Sequence, residues 1–274
     1  MTPRLTAWLL ALPATLLVAL FLGLPVLATF ATTVDPAEPA ANYAQFFGSR
    51  FRMTVLWRTM EVALVTTAVS LLIGFPTAWV VARSSPRVKS VLIIAAVFPL
   101  LTGVVVRSFA WLIILGKNGI LNDFLIWIGA IAEPLSMLYT EFAVIIAMVY
   151  LFVPLMILTL VGVLEGIPND VVEASISLGA SPAATFRQVI FPLAMPGLIV
   201  GAVLVFTGSF TSYATPQLLG GERQMMMGTF LYQRAMVTFD WVGASTIATI
   251  MVVVTIGIVL IMSRIARRLN PMAV

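Results

Sequence analysis

Residues 142–164 read FAVIIAMVYLFVPLMILTLVGVL, an unbroken apolar run without one Asp, Glu, Lys or Arg. At about 1.5 Å of rise per residue, a helix of this length crosses the roughly 30 Å hydrocarbon core of a bilayer. Outward from it lie further runs of the same kind, at about Trp8–Phe30, Met60–Val81, Val91–Leu115, Pro196–Tyr213 and Val242–Met262, the fifth in chain order being short. The chain as a whole is 61% hydrophobic and 9% charged, with a mean hydropathy of +1.09. Soluble domains are about half apolar and about a quarter charged, so lipid is the solvent this composition requires. The fold class is therefore an all-α integral membrane protein with about six transmembrane helices, read as a single transmembrane domain over residues 1–274. The first run, preceded by Arg4, superficially resembles a signal peptide with a cleavage site at Thr29-Phe30-Ala31. Its apolar stretch exceeds the roughly 7–15 residues of a signal core, and a retained helix is expected.

The chain has no cysteine and no histidine. That removes disulfides, thiol nucleophiles, Cys or His metal ligands and a His general base. Neither a metal site nor a catalytic residue is expected. The net charge of +4 comes from arginines at membrane borders, and no basic stripe or aromatic RNA motif points to nucleic acid. With the N-terminus inside, the cytoplasmic side collects Arg4, Arg83, Arg87, Lys89, Arg187, Arg264, Arg267 and Arg268 with Glu165, Asp170 and Glu173. The other side collects Asp35, Glu38, Asp123, Glu133, Glu222 and Asp240 among its bases. The basic excess places both termini in the cytoplasm. Outer loops fall at roughly 31–59, 116–141 and 214–241. Gly74-Phe75-Pro76 and Phe98-Pro99 mark bends or helix breaks, where a carbonyl freed by proline must be met by a neighbouring helix or a water-lined cavity.

The loop after the quoted run, about 165–195, carries the functional signal. From Ile167 to Gly197 it reads IPNDVVEASISLGASPAATFRQVIFPLAMPG. Asp170 with Glu173 suggests a capping box, Gly179 a left-handed helix end, and Ser181-Pro182 a new N-cap and first turn. The second short helix is expected to stop before Pro192. Two glycine-jointed helices too small to hold a core should dock against something.

Glu173-Ala174-Ser175, three residues, Gly179, nine residues, then Val189-Ile190-Phe191-Pro192 resembles the EAA loop of binding-protein-dependent ABC importer permeases. Ser175 stands at the second alanine of that pattern and Phe191 at its leucine, both mild departures. The resemblance implies the type I permease fold in a bacterial inner membrane. It implies a coupling role toward an ATP-binding subunit for Glu173, Ala174, Ser175, Gly179, Phe186 and Pro192. The implied partners are a second, related permease, two copies of the ATPase, which uses ATP and Mg, and a periplasmic solute-binding protein. This chain lacks a phosphate-cradling loop of its own: its only Gly-Lys pair, Gly116-Lys117, is followed by Asn118, with Trp111 where the first glycine belongs. It is expected to bind no cofactor.

Val106-Arg107-Ser108-Phe109-Ala110-Trp111, Leu115-Gly116-Lys117-Asn118-Gly119-Ile120-Leu121-Asn122, Thr215-Pro216-Gln217-Leu218-Leu219-Gly220-Gly221 and Phe239-Asp240-Trp241 resemble the polyamine-type branch, nearest its spermidine/putrescine B-type subunits. The same branch handles opines, aminophosphonates and other small amines. A cationic solute favours carboxylates and aromatic faces, which selects Glu61, Phe109, Trp111, Phe210, Tyr213, Asp240 and Trp241 as pathway candidates. Glu61 and Arg107 can alternatively form a structural pair, and tryptophans commonly sit at the membrane interface. Two rivals remain. An ion-coupled secondary transporter favours ionisable groups near the midplane, where these spans are almost wholly apolar. An intramembrane enzyme without His or Cys needs a carboxylate pair, and none is apparent.

Overall fold

A computed structural model describes residues 12–34, 37–38 and 40–269, the side chains of 266–269 excepted. Arg4, Asp35, the start of the first run before Leu12 and the side chains of Arg267 and Arg268 lie outside the described residues. Among the described residues the secondary structure is helical, without strands. Six stretches are long and apolar enough to cross a membrane: Leu12–Ala31, Arg50–Arg83, Val104–Trp127, Glu141–Glu165, Pro182–Phe210 and Trp241–Ile265. In chain order the helices are α1 (Leu12–Ala31), α2 (Ala41–Phe47), α3 (Arg50–Arg83), α4 (Pro86–Leu101), α5 (Val104–Leu115), α6 (Ile120–Trp127), α7 (Glu141–Glu165), α8 (Asn169–Ser177), α9 (Pro182–Phe210), α10 (Ala214–Leu219), α11 (Met227–Tyr232) and α12 (Trp241–Leu269).

Three boundaries differ from the apolar runs. α3 begins at Arg50, ahead of Met60, because Arg50, Arg52 and Arg58 are good helix formers that leave the lipid without leaving the helix. The expected span Val91–Leu115 is not one helix. Thr102 and Gly103 are extended, with ψ of 129° and 141°, so α4 ends and α5 starts anew. Pro99 and Gly103 both disfavour an uninterrupted helix here. The buried Arg107 donates from Nη1 to the carbonyls of Pro99, 2.9 Å, and Thr102, 3.4 Å. It thus serves carbonyls left over at the end of α4. The membrane-crossing stretch there is α5 with α6. The fifth span starts at Pro182, well before Pro196.

The chain divides into two compact units, Val55–Thr229 with Val254–Val274, and Met1–Thr54 with Phe230–Val253. In the first, α7 packs mainly along α9. Glycines permit the approach. A Cβ at Gly197 would stand 2.8 Å from Val163, and one at Gly201 would stand 2.7 Å from the sulfur of Met156. Gly197 and Gly201 form the small-xxx-small spacing by which membrane helices, lacking a hydrophobic drive between them, gain close van der Waals contact. The fully buried Met156 also fills the space opposite Gly74 of α3, where a Cβ would meet it at 2.7 Å. At one end of this unit Lys89 pairs with Glu165 at 3.0 Å. At the other Arg58 pairs with Glu141 at 3.0 Å, and Thr59 Oγ1 accepts the Met227 N–H at 2.8 Å.

In the second unit the end of α1 is tied to α2. Thr33 Oγ1 and the Tyr43 hydroxyl lie 2.6 Å apart, and Asn42 donates to the Thr33 carbonyl at 2.9 Å. Phe46 and Phe230 are buried there, and the Arg234 guanidinium sits 5.2 Å from the centre of the Phe230 ring.

Candidate functional site

The loop after α7 is held at its root. The Arg83 guanidinium lies 4.5 Å from the Trp79 ring centre and reaches the Ile167 carbonyl at 3.5 Å. Pro168, not Asp170, is the N-cap of α8, and no side chain caps it. Asp170 lies inside the first turn, where its negative charge complements the positive end of the helix dipole instead of accepting a capping bond. The other end is a full Schellman closure. Gly179 N–H donates to Ile176 O at 2.9 Å, Ala180 N–H donates to Ser175 O at 3.2 Å, and Gly179 has φ +84°. Ser181 Oγ then accepts the Ala184 N–H at 3.2 Å, with Pro182 opening α9.

Pro192 does not stop that helix. Residues Phe186–Ile190 form a π-turn in which Phe191 N–H reaches back to Phe186 O, and the α-helix resumes from Phe191 with Pro192 in its first turn. Widening the turn removes the need for the N–H that proline lacks. The second loop helix and the fifth span are thereby one continuous rod. Ser175 Oγ and Thr185 Oγ1, 3.0 Å apart, bind α8 to its base. Phe186 stacks edge-on to Phe75 of α3 with ring centres 5.5 Å apart. Glu173, Ala174 and Gly179 are exposed, Ser175 and Pro192 half-buried. Leu178 is 89% exposed and Ile176 58%, so α8 presents an uncovered apolar edge beside its glutamate.

The pathway candidates differ in their surroundings. Glu61 is exposed on α3 and makes no pair with Arg107, whose donors go to backbone carbonyls. Phe109 and Trp241 are exposed. Trp111 packs edge-on to Tyr150 at 5.7 Å, and Phe210 is fully buried, stacked on Phe206 at 5.6 Å. Tyr213 is half-buried next to α10. Asp240 accepts from Arg234 on Oδ2 at 3.0 Å and from Gly243 N–H on Oδ1 at 2.9 Å. Asn122, read only as part of a motif, proves structural. Fully buried, it donates to the carbonyls of Gly116 and Leu135 and accepts the Leu135 N–H.

Residues 90–273, which contain α8 and its hinge, match the family of binding-protein-dependent transport system inner membrane components. The chain belongs to this family. The permease is 32% identical over 230 residues to the spermidine/putrescine transport system permease protein PotB of Salmonella typhimurium (strain SL1344), covering 84% of this chain and 79% of that one. It is 31% identical over 219 residues to the inner membrane ABC transporter permease protein YdcU of Escherichia coli K12, covering 75% and 69%. Among solved structures, it resembles a bacterial ABC transporter importing the acidic polysaccharide alginate, with TM-score 0.73, 18% identity and coverage of 96% and 95%. It also resembles the MetNI methionine ABC transporter in an inward-facing conformation, with TM-score 0.61, 19% identity and coverage of 80% and 95%. At these identities the structural likeness establishes the fold, that of ABC importer permeases. The permease is therefore a multi-pass inner-membrane subunit of an importer.

Proposed function

We propose that this subunit passes a polyamine-type amine from periplasm to cytoplasm, driven by ATP hydrolysis in a separate subunit that grips α8. The observation that carries the coupling role is the form of α8. It is a short helix with an exposed Glu173–Ala174 edge and an uncovered Leu178, closed by a left-handed glycine and joined through Ser181 to a rod that runs on into the membrane. A push on α8 travels into α9 without a flexible joint at Pro192. The π-turn, where Phe186 touches α3, gives that push a second helix to move.

The supporting arrangement pairs this chain with a second, related permease, so that each supplies half the path. Two ATPase copies, with their ATP and Mg, sit on the cytoplasmic side, and a solute-binding protein delivers from the periplasm. The chain itself performs no catalysis and binds no cofactor. The amine reading rests on the similarity to the spermidine/putrescine permeases. Among the pathway candidates Glu61 suits a cation, being an exposed carboxylate within a membrane-crossing helix, where charge is costly unless used.

The hinge gives the test. Gly179→Asp forces a side chain into the left-handed region at about 1–2 kcal/mol, and Glu173→Lys reverses the charge on the docking edge. Both variants should insert normally yet lose most ATP-driven uptake in vesicles containing the full transporter, with ATP hydrolysis no longer following solute delivery. Wild-type uptake by a well-inserted Gly179→Asp variant would overturn the coupling role.

A further inference from the structure

Two cavities of opposite character adjoin in the Val55–Thr229 unit, at the end that bears α8. One is an apolar groove of about 850 Å³ between α3, α8 and α9, with Leu72, Phe75, Trp79, Val172, Ile176 and Phe186 in its walls. Its one hydroxyl, that of Thr185, is already engaged with Ser175 at 3.0 Å. The other cavity, of about 440 Å³, is polar and has Arg83, Lys89, Glu165 and Asn169 in its walls. The same helix faces run through both. On α3, Leu72, Phe75 and Trp79 are followed by Arg83 at steps of three and four residues, and on α8 Asn169 is followed by Val172 and Ile176 in the same way. The seam is narrow: the Arg83 guanidinium, from the polar cavity, lies 4.5 Å from the centre of the Trp79 ring, from the apolar one.

The polar cavity has a definite sign. Glu165 is taken by Lys89 at 3.0 Å. Among the described residues Arg83 pairs with no carboxylate; its guanidinium meets the Ile167 carbonyl at 3.5 Å and the aromatic face of Trp79. Neither neutralises it, and a guanidinium fork matches the oxygens of a phosphate. The groove has a definite depth. From Ala68 to Val80 it follows α3 for about 18 Å at roughly 1.5 Å per residue, close to the ~15 Å of hydrocarbon in a single leaflet. A spanning helix would require a channel through both leaflets, whereas an acyl chain requires one of this depth.

We propose that the two cavities together bind one phospholipid with an anionic headgroup, drawn from the leaflet on the α8 side. Its phosphate lies against Arg83, as in other basic pockets between membrane helices. Its acyl chain lies in the groove and covers Leu72 and Ile176, which are otherwise 76% and 58% exposed. The chain then fills the space between α3 and α8 on which any displacement of α8 bears. This inference concerns binding and holds whatever the solute is.

The probe is a phosphatidylglycerol with a diazirine on one acyl chain, in phosphatidylcholine vesicles containing the whole transporter. Illumination should join it to residues 68–80 and also to 172–176, a segment of α8 that belongs to no membrane-crossing stretch. Unlabelled phosphatidylglycerol should suppress the 172–176 labelling at least about fivefold more effectively than unlabelled phosphatidylcholine, the factor that one arginine near a membrane surface supplies. Arg83→Gln should bring the two competitors to parity, and Arg83→Lys should keep most of the preference, which a role confined to stacking on Trp79 would not do. Arg52→Gln, outside both cavities, should leave the preference as in the wild type. Excess inorganic phosphate should leave the labelling in place, because it has no chain for the groove.

No labelling of 172–176 in the assembled transporter would mean that a protein chain covers the groove. Equal competition by the two lipids in the wild type would mean ordinary lipid solvation, and displacement by inorganic phosphate would mean a site for free anions. Each of these results, or a wild-type preference in Arg83→Gln, would overturn the proposal. Should Arg83→Gln fail to assemble, the wild-type competition decides alone.

Discussion

Asp240 shows how a residue chosen for its charge can have structural work of its own, toward a backbone N–H and an arginine. One carboxylate oxygen caps α12 through the Gly243 N–H and the other holds Arg234, so each already has a structural partner. Asp240→Asn keeps an oxygen for the cap and loses only the ion pair, which at this partial exposure is worth under about 1 kcal/mol. Asp240→Ala loses the cap as well, about 1 kcal/mol more. Solute KM should be unchanged in the Asn variant and the melting temperature should fall in the order wild type, Asn, Ala. An Asn variant with raised KM and wild-type melting would return Asp240 to the path. Arg107 illustrates the same lesson: the alternative of a pair with Glu61 weighed charge against charge, whereas the neighbours that claim Arg107 are the carbonyls of a broken helix. Such partners are set by the backbone path, which composition does not reveal.

Elements were legible to the degree that hydropathy reports them. Apolar runs give the crossing stretches because transfer to lipid depends on side chains, and the run at 142–164 coincides with α7. Hydropathy is blind to backbone continuity, however. The stretch Pro99-Leu100-Leu101-Thr102-Gly103 is apolar enough to read as part of one span, and it was the Phe98-Pro99 pair, not hydropathy, that marked the interruption found at its end. Pro192 erred in the opposite sense, since a π-turn carries the helix past a residue that normally stops one. The glycine hinge was legible because a left-handed turn has few alternatives to glycine. What binds α7 to α9 was not, because small residues mean close approach only once a large partner is known to face them. Met156 is that partner, wedged between Gly74 and Gly201. Gly201→Leu should therefore lower the melting temperature by overpacking, a cost of about 1–3 kcal/mol, and Met156→Ala added to it should recover part of the loss. A Gly201→Leu variant that melts with the wild type would mean the helices do not approach as described.

At the scale of the whole molecule, the remaining quantity is a sign: which end of the Val55–Thr229 unit faces the cytoplasm. Arg83 touching Ile167 and Lys89 paired with Glu165 put the α3–α4 turn and the root of α8 at one end, opposite the Arg58–Glu141 pair. The end bearing α8 thus shares the basic cluster Arg83, Arg87, Lys89 and Arg187, the bias that retains a loop in the cytoplasm. Because ATP is available only in the cytoplasm, the proposed orientation and the proposed coupling role stand or fall together. Reporter fusions test the orientation directly. Alkaline phosphatase, active only outside, should be active when fused at Gly129 or Glu222 and silent at Ser84 or the C-terminus. A green fluorescent protein, which folds to fluorescence only inside, should show the reverse pattern. Phosphatase activity at Ser84 would place α8 in the periplasm, out of reach of any nucleotide-binding partner, and the coupling role would fall with the topology.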